Sequence, residues 1–297
     1  MPSTVTNLTQ YFIESATTAL DYRLGNVDKV ARIVEKQGAI VNDYTRIPYI
    51  SSSAQPVQTF SHTTGYVNPD SRVEGIDLQF TDWLYRPFEI TDTEAVRLSP
   101  ADIANLARAN ANLLANDIYK KLFTATTSSF ANSIQAGGSA WASTAGIIAL
   151  STSASLQRWD EGDKNLVVTP SLYWRMAGNT TTLVANALGK SDVVQKGVLS
   201  DYYGWKPFIV DSLPTTVQGM GLTSQAMALG VSIPTPQANG QIEGLAVISL
   251  PNGMKIQAFH YYTPSLRKHT FVNELITGYA VIDRTRGYNL VVNNMAA

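Results

Sequence analysis

Cysteine is absent from this sequence, which removes disulfides and thiolate metal ligands and fits a reducing compartment. Charge is scarce as well: 15% of residues are Asp, Glu, Lys or Arg, against about 25% in an ordinary soluble domain. Ser, Thr, Asn and Ala fill the gap. A surface so short of charge is expected to face other protein over much of its area, the alternative being polar but uncharged surface facing water. The net charge of −1 offers no global field for nucleic acid or an anionic membrane. No apolar run approaches the ~18–20 residues of a membrane-spanning helix. The N-terminal stretch MPSTVTNLTQYFIESATT has neither the basic nor the apolar region of a secretory signal. The expectation is a soluble intracellular product without a membrane partner.

Catalytic signatures are missing too. The three histidines, His62, His260 and His269, show no H-x₃-H or HExxH spacing, so a zinc site has no local support and the three read as isolated structural residues. ALGKSD (187–192) imitates the end of a phosphate-binding loop, but Val184 stands where that loop needs glycine for its nest of amides. GMGLTS (219–224) is a partial G-x-G-x-x-G with serine in the third glycine's place and no clear strand before it. No G-x-S-x-G elbow occurs. Asp160, Glu161 and Asp163 cluster in WDEGDKN, which reads as a polar turn rather than a metal site. The mixed charges of 23–36 suit a solvated helix face better than a phosphate track. The aromatic run YYGWKP (202–207) fits core packing and an interface anchor equally well. The chain therefore reads as a non-enzyme with no catalytic, cofactor or metal residues.

What is present is a pair of long, chemically inert rods. Residues 1–55 read as an arm, with a helix over NVDKVARIVEKQG (26–38) and an extended stretch over 39–50. Residues 56–92 read as a long hairpin: VQTFSHTTGYV runs out, NPDSR (68–72) turns, and VEGIDLQFTDWLYRPFEI returns. Ile76, Leu78 and Phe80 alternate with Asp77, Gln79 and Thr81 as on a half-buried strand. Arms of about eleven residues would reach about 35 Å, and a lone ribbon of that length needs a surface to rest on.

The second rod is SPADIANLARANANLLANDIYKKLF (99–123). Ser99 can cap it, Pro100 suits its first turn, and Asp102 completes a capping box. Ile103, Ala107, Ala111, Leu114, Ile118 and Leu122 form one apolar stripe, with Leu106 and Leu113 beside it. At 1.5 Å per residue it would be about 37 Å long. A polar loop (124–144), a helix at about 143–159, alternating strands and helices over 165–254 and a β-rich ending complete the reading.

This order of elements resembles the major capsid proteins of tailed bacteriophages, the HK97-type shell fold. The hairpin 56–92 is similar to the family's extended loop and residues 99–123 to its spine helix. NLVVTPSLYWRM (165–176) and WKPFIVDSLP (205–214) resemble its axial domain, and ELITGYAVIDRTRGYNLVV (274–292) its closing strands. The resemblance implies an α+β fold: an N-terminal arm (1–55), an extended β-hairpin loop (56–92), a peripheral domain (93–160 and 255–297) and a mixed α/β axial domain (161–254).

It also implies a virion shell of hexamers and pentamers, assembled in the host cytoplasm around double-stranded DNA contacted without sequence preference. Scaffolding, portal and cementing proteins are the further partners such shells use. With only about 55 residues before the hairpin, a scaffold would be a separate protein. Subunit contacts are expected from Arg72, Glu74, Asp77 and Asp82 on the hairpin, from Arg97, Lys120 and Lys121 near the spine helix, and from the apolar face Ile76, Leu78 and Phe80. The rivals are an encapsulin-like cargo shell, an α/β enzyme built on 165–254, and a tail-tube component.

Some members of that family weld subunits through a lysine on the extended loop. Residues 56–92 contain no lysine, and Lys120 and Lys121 belong to the spine helix. Assembled particles boiled in denaturing detergent should therefore run as one band near 32.3 kDa. A ladder of covalent multimers would refute a non-covalent shell.

Overall fold

A buried residue at nearly every fourth position builds the first element. Leu8, Phe12, Ala16, Leu20 and Leu24 lie on one side of helix α1 (Pro2–Leu24), and all five are buried. The computed structural model describes residues 2–50, 73–130, 132–136, 144–157, 159, 163–178, 202–211, 213–215, 217–236 and 241–292.

The helix expected at 26–38 is not formed. A 3₁₀ turn, Val27–Lys29, leads into strand β1 (Arg32–Glu35), which pairs in parallel with β8 (Met227–Ser232). Val27, Val30 and Ala31 are fully buried, as a helical stripe would demand. The β-branched pair Ile33–Val34 instead completes an open sheet edge, where tertiary pairing overrides a short helical pattern.

Strand β3 (Val73–Thr91) is 19 residues long. Its first part, Val73–Gln79, pairs antiparallel with β2 (Tyr44–Ile50). From Phe80 to Thr91 it pairs with β11 (Lys268–Val281). The returning strand of the expected hairpin is thus present, and its partner among the described residues is 44–50. The expected outgoing strand and the turn 68–72 lie outside the described residues.

Where β3 changes partner, Leu78 and Phe80 turn inward and are fully buried with Ala39, Ile47, Ala228, Ile276 and Ile282. This corrects the expectation that they rest on a neighbouring subunit. Glycine makes the approach possible. Gly230 and Gly278 are paired in the sheet. A Cβ on Gly230 would lie 2.4 Å from Leu78 Cδ2, and one on Gly278 would lie 2.3 Å from the Gln79 carbonyl oxygen. Ile76 is only half-buried against the same cluster.

Helix α2 (Asp92–Arg97) follows behind a Thr91–Glu94 capping box, and α3 (Pro100–Thr127) behind the expected Ser99–Asp102 box with Pro100 in its first turn. The six stripe residues of α3 are fully buried, together with Ala115, Tyr119 and Phe123, while Leu106 and Leu113 stay exposed. Alanines let α3 lie close to α1, and the Tyr119 hydroxyl donates to the Arg23 carbonyl at 2.8 Å. On the other side Asn273 Nδ2 on β11 donates to Asn110 Oδ1 on α3 at 3.0 Å.

The remaining elements are β4 (Asn132–Ala136), α4 (Thr144–Leu156), β5 (Asn165–Val168), α5 (Pro170–Ala177), β6 (Lys206–Ile209), β7 (Val217–Leu222), β9 (Gln241–Ser249), β10 (Lys255–Thr263) and β12 (Gly287–Val292). They form two sheets. The larger runs β1-β8-β11-β10-β9, with β3 on β11 and β2 on β3; the smaller runs β4-β12-β7-β5-β6. Strands at 227–249 therefore join those at 255–281, while β4 and β12 join the strands at 165–222. The expected segments 161–254 and 255–297 are each divided between the two sheets.

The notch makes a direct prediction. Leu78→Ala should lower folding stability by about 2–5 kcal/mol, read as a lower urea midpoint. Gly278→Val should lower it further, because its Cβ meets backbone. A Leu78→Ala midpoint equal to that of the parent chain would refute the packing described.

Candidate functional site

Among the described residues no catalytic constellation forms on the smaller sheet. The glycines of GMGLTS lie within strand β7, paired on both sides by β5 and β12, and do not form a phosphate-binding turn. Asp163 accepts from the Ser224 amide at 3.0 Å and the Ser224 hydroxyl at 2.8 Å, so it ties two loops together. Asp160, Glu161 and ALGKSD lie outside the described residues. The aromatic run resolves mostly to core. Tyr202 and Trp205 are buried, Trp205 Nε1 donates to Ser151 Oγ at 2.9 Å, and Trp205 meets Trp159 edge-on. Tyr203 is exposed.

The functional candidates are surfaces, beginning with the charges expected at subunit contacts. Asp77 is exposed on the β2–β3 ribbon, opposite Arg46 in register, a favourable cross-strand pair. Asp82 and Lys121, expected to seek a neighbour, meet each other at 2.9 Å within the chain. Asp117 on α3 takes Arg86 of β3 in the same way, Nε donating to Oδ2 at 2.7 Å. These two pairs fasten α3 along β3. Arg97 and Lys120 are exposed. Glu74 lies in β3, and Arg72 falls outside the described residues.

A second surface was missed in the sequence. The face of the larger sheet turned away from α1 carries Tyr85, Leu245 and Val247 at 62%, 52% and 48% exposure, over a floor of Phe259 and Val272. The register places Tyr85 beside Glu274, Glu274 beside Gln257, and Gln257 beside Val247. Glu274 is buried within this face. Trp83 Nε1 donates to its Oε2 at 3.0 Å and Gln257 Nε2 to its Oε1 at 2.8 Å. Burial pushes the Glu274 carboxyl above its ordinary range, against the opposing pull of those two donors.

The third feature lies on the opposite face of the same sheet, where strand pairing joins two of the three histidines. His260 Nε2 lies 3.1 Å from His269 Nδ1. Reading them as isolated is corrected: β10 and β11 form a hairpin that places Tyr262 opposite His269 and His260 opposite Phe271, a juxtaposition created by register and not by local spacing. Their positions on a hairpin around TPSLRK were the only signal available. His260 is fully buried beneath α1 and stacks on Phe271. Burial, then the charge of His269, pulls its pKa down to about 4. A register shift at His260/Tyr261 adds one residue to β9. That bulge re-aims Glu243, whose Oε2 lies 3.6 Å from His260 Nδ1.

No family model matches the chain, and no curated protein matches it by sequence. Solved structures match it nearly end to end. The capsid of cyanophage P-SCSP1u is similar with TM-score 0.60 at 12% identity, over 88% of this chain and 86% of that one. The mature capsid of bacteriophage PhiM1 is similar at TM-score 0.57 and 10% identity, over 90% and 87%. A virus-like particle from Pyrococcus furiosus is similar at TM-score 0.54 and 10% identity, over 95% and 97%. The chain has the α+β fold of phage capsid proteins, the HK97-type fold that the sequence resembled.

Glu274 gives a pH prediction. Its carboxyl holds a proton more tightly when folded than when unfolded, so its contribution to stability falls as pH rises above the ordinary value of 4.5. Glu274→Gln should flatten the fall in urea midpoint on raising the pH above 4.5, whereas Lys121→Ala should cost at most about 1 kcal/mol at neutral pH. An unchanged pH slope in Glu274→Gln would show that the group titrates as if exposed.

Proposed function

We propose that this protein is a structural shell subunit, a major capsid protein that assembles into a closed icosahedral particle around phage double-stranded DNA. The observation that carries this reading is the end-to-end likeness, at 10–12% identity, to capsids of separate phages. Sequence has diverged almost completely while the whole architecture persists. The surfaces support it. Charge is scarce, and apolar side chains stand exposed on β3 and β9, as a subunit buried on several sides requires. No described helix is long and apolar enough to cross a membrane.

In this reading the sheet packed on α3 belongs to the peripheral part of the subunit and the smaller sheet to its axial part. The β2–β3 ribbon, with Glu74, Ile76 and Asp77, reaches toward a neighbour together with Arg72, which precedes it in the sequence, and the exposed Arg97 and Lys120 near the spine helix meet it. Such rim charges set register more than affinity, at about 0–1 kcal/mol each. The particle is held non-covalently, by hexamers and pentamers in the host cytoplasm, with scaffolding, portal and cementing proteins as separate partners. DNA contact is weak and independent of sequence, since a net charge of −1 releases few counterions.

The second reading is an encapsulin-like shell around a protein cargo. Likeness to a virus-like particle from Pyrococcus furiosus supports it. Electron microscopy of the expressed chain, alone and with candidate scaffolds, tests both readings. Closed shells are expected, and nuclease-protected DNA inside native particles separates the phage reading from one in which protein fills the lumen. The double charge reversal Arg97→Glu with Lys120→Glu should leave a folded subunit with unchanged thermal midpoint and reduce the yield of shells. A chain that stays monomeric under every assembly condition would overturn the proposal.

A further inference from the structure

The histidine pair is built like a metal site. In a pair that only hydrogen-bonds, one imidazole nitrogen donates to the other and the outer nitrogens are free to face anything. Here both inner nitrogens, His260 Nε2 and His269 Nδ1, face each other at 3.1 Å, and both outer nitrogens face oxygen. His260 Nδ1 lies 3.1 Å from Thr9 Oγ1, and His269 Nε2 lies 3.4 Å from Asp92 Oδ1. Oxygen on the far nitrogen is how proteins fix the tautomer and orientation of a ligating histidine. The third donor is Glu243, with Oε2 4.0 Å from His269 Nδ1. Ligand atoms from the three residues lie within 4.8 Å of one another. Tetrahedral zinc with bonds of about 2.0–2.1 Å holds its ligand atoms roughly 3.3 Å apart, so modest side-chain turns close the set.

Three further observations support a built site. Glu243 reaches the histidines only because the bulge adds a residue to β9; regular alternation would send it and Gly244 to opposite faces. Asp92 is anchored by the Tyr262 hydroxyl, which donates to Oδ2 at 3.1 Å, while its buried Oδ1 has no hydrogen-bond partner. An imidazole N–H on His269 Nε2, required once Nδ1 ligates a cation, supplies that acceptor. Access is open through Glu243, with its side chain 32% exposed, and His269 at 13%.

We propose that Glu243, His260 and His269 bind one divalent transition-metal ion, zinc by ligand type, with water as fourth ligand. Thr9 and Asp92 orient the imidazoles from behind. The two-nitrogen, one-carboxylate set suits zinc and disfavours calcium and magnesium, which take oxygen. The ion ties edge strand β9 to the β10–β11 hairpin beneath α1, so it stabilises the subunit.

The test uses the full chain, stripped with chelator and titrated with zinc chloride in a calorimeter and in thermal melts. One zinc per chain and a rise in melting midpoint are expected, and cobalt(II) should give the intense visible bands of a tetrahedral site. His269→Gln and Glu243→Gln should abolish or strongly weaken binding while keeping the far-ultraviolet circular dichroism and the zinc-free midpoint. Asp92→Asn should weaken it about tenfold or more, and His62→Gln should leave it unchanged. Glu243 stands on an exposed bulge, so its variant remains informative if His269→Gln fails to fold. Absence of zinc binding by the parent chain, undiminished binding by folded Glu243→Gln, or loss on His62→Gln would each overturn the assignment.

Discussion

Strand β3 serves two structures on one backbone, and the chain is arranged around the point where it passes between them. Below Gln79 its hydrogen bonds go to β2 in a two-stranded ribbon, and above it they go to β11 in the larger sheet. A ribbon alone is marginal in water. It is held here because Leu78 and Phe80 are driven into a notch left by Gly230 and Gly278. Helix α3 then clamps the sheet-bound half through Asp82–Lys121 and Arg86–Asp117. The ribbon is anchored at its root because apolar burial, the dominant stabilising effect in folding, sits at the change of partner.

That arrangement divides the surface into parts with different work. Charges near α3 that face β3, Asp82 with Lys121 and Arg86 with Asp117, are satisfied inside the chain. The exposed face around Tyr85, Leu245 and Val247 is different: these apolar side chains stand at its two sides, Tyr85 on β3 and Leu245 and Val247 on edge strand β9. A free protein would pay for such an edge in aggregation, whereas a shell subunit has neighbours to cover it. The opposite face of the same strands is closed by α1 and holds the histidine cluster, where a single bulge decides what Glu243 can touch.

Local signals in the sequence were strong wherever the chemistry was local. The Ser99–Asp102 box, Pro100 and the stripe from Ile103 to Leu122 defined α3, because capping and a 3.6-residue period need no distant partner. The alternation Ile76–Leu78–Phe80 marked β3 for the same reason. The inert composition, the absence of catalytic spacing and the order of rods were enough for the resemblance to a shell fold.

Tertiary structure decided the rest, through pairing between distant residues. Residues 32–35 became strand and not helix because β8 presented an open edge. Leu78 and Phe80 were legible as apolar, but which surface they bury depended on two glycines about 150 and 200 residues away, brought together by β8 and β11. His260 and His269 were legible only as lone histidines, and Glu243 as an unremarkable acid. Hairpin register and one bulge made them a cluster, and register is set by the whole sheet, not by spacing along the chain.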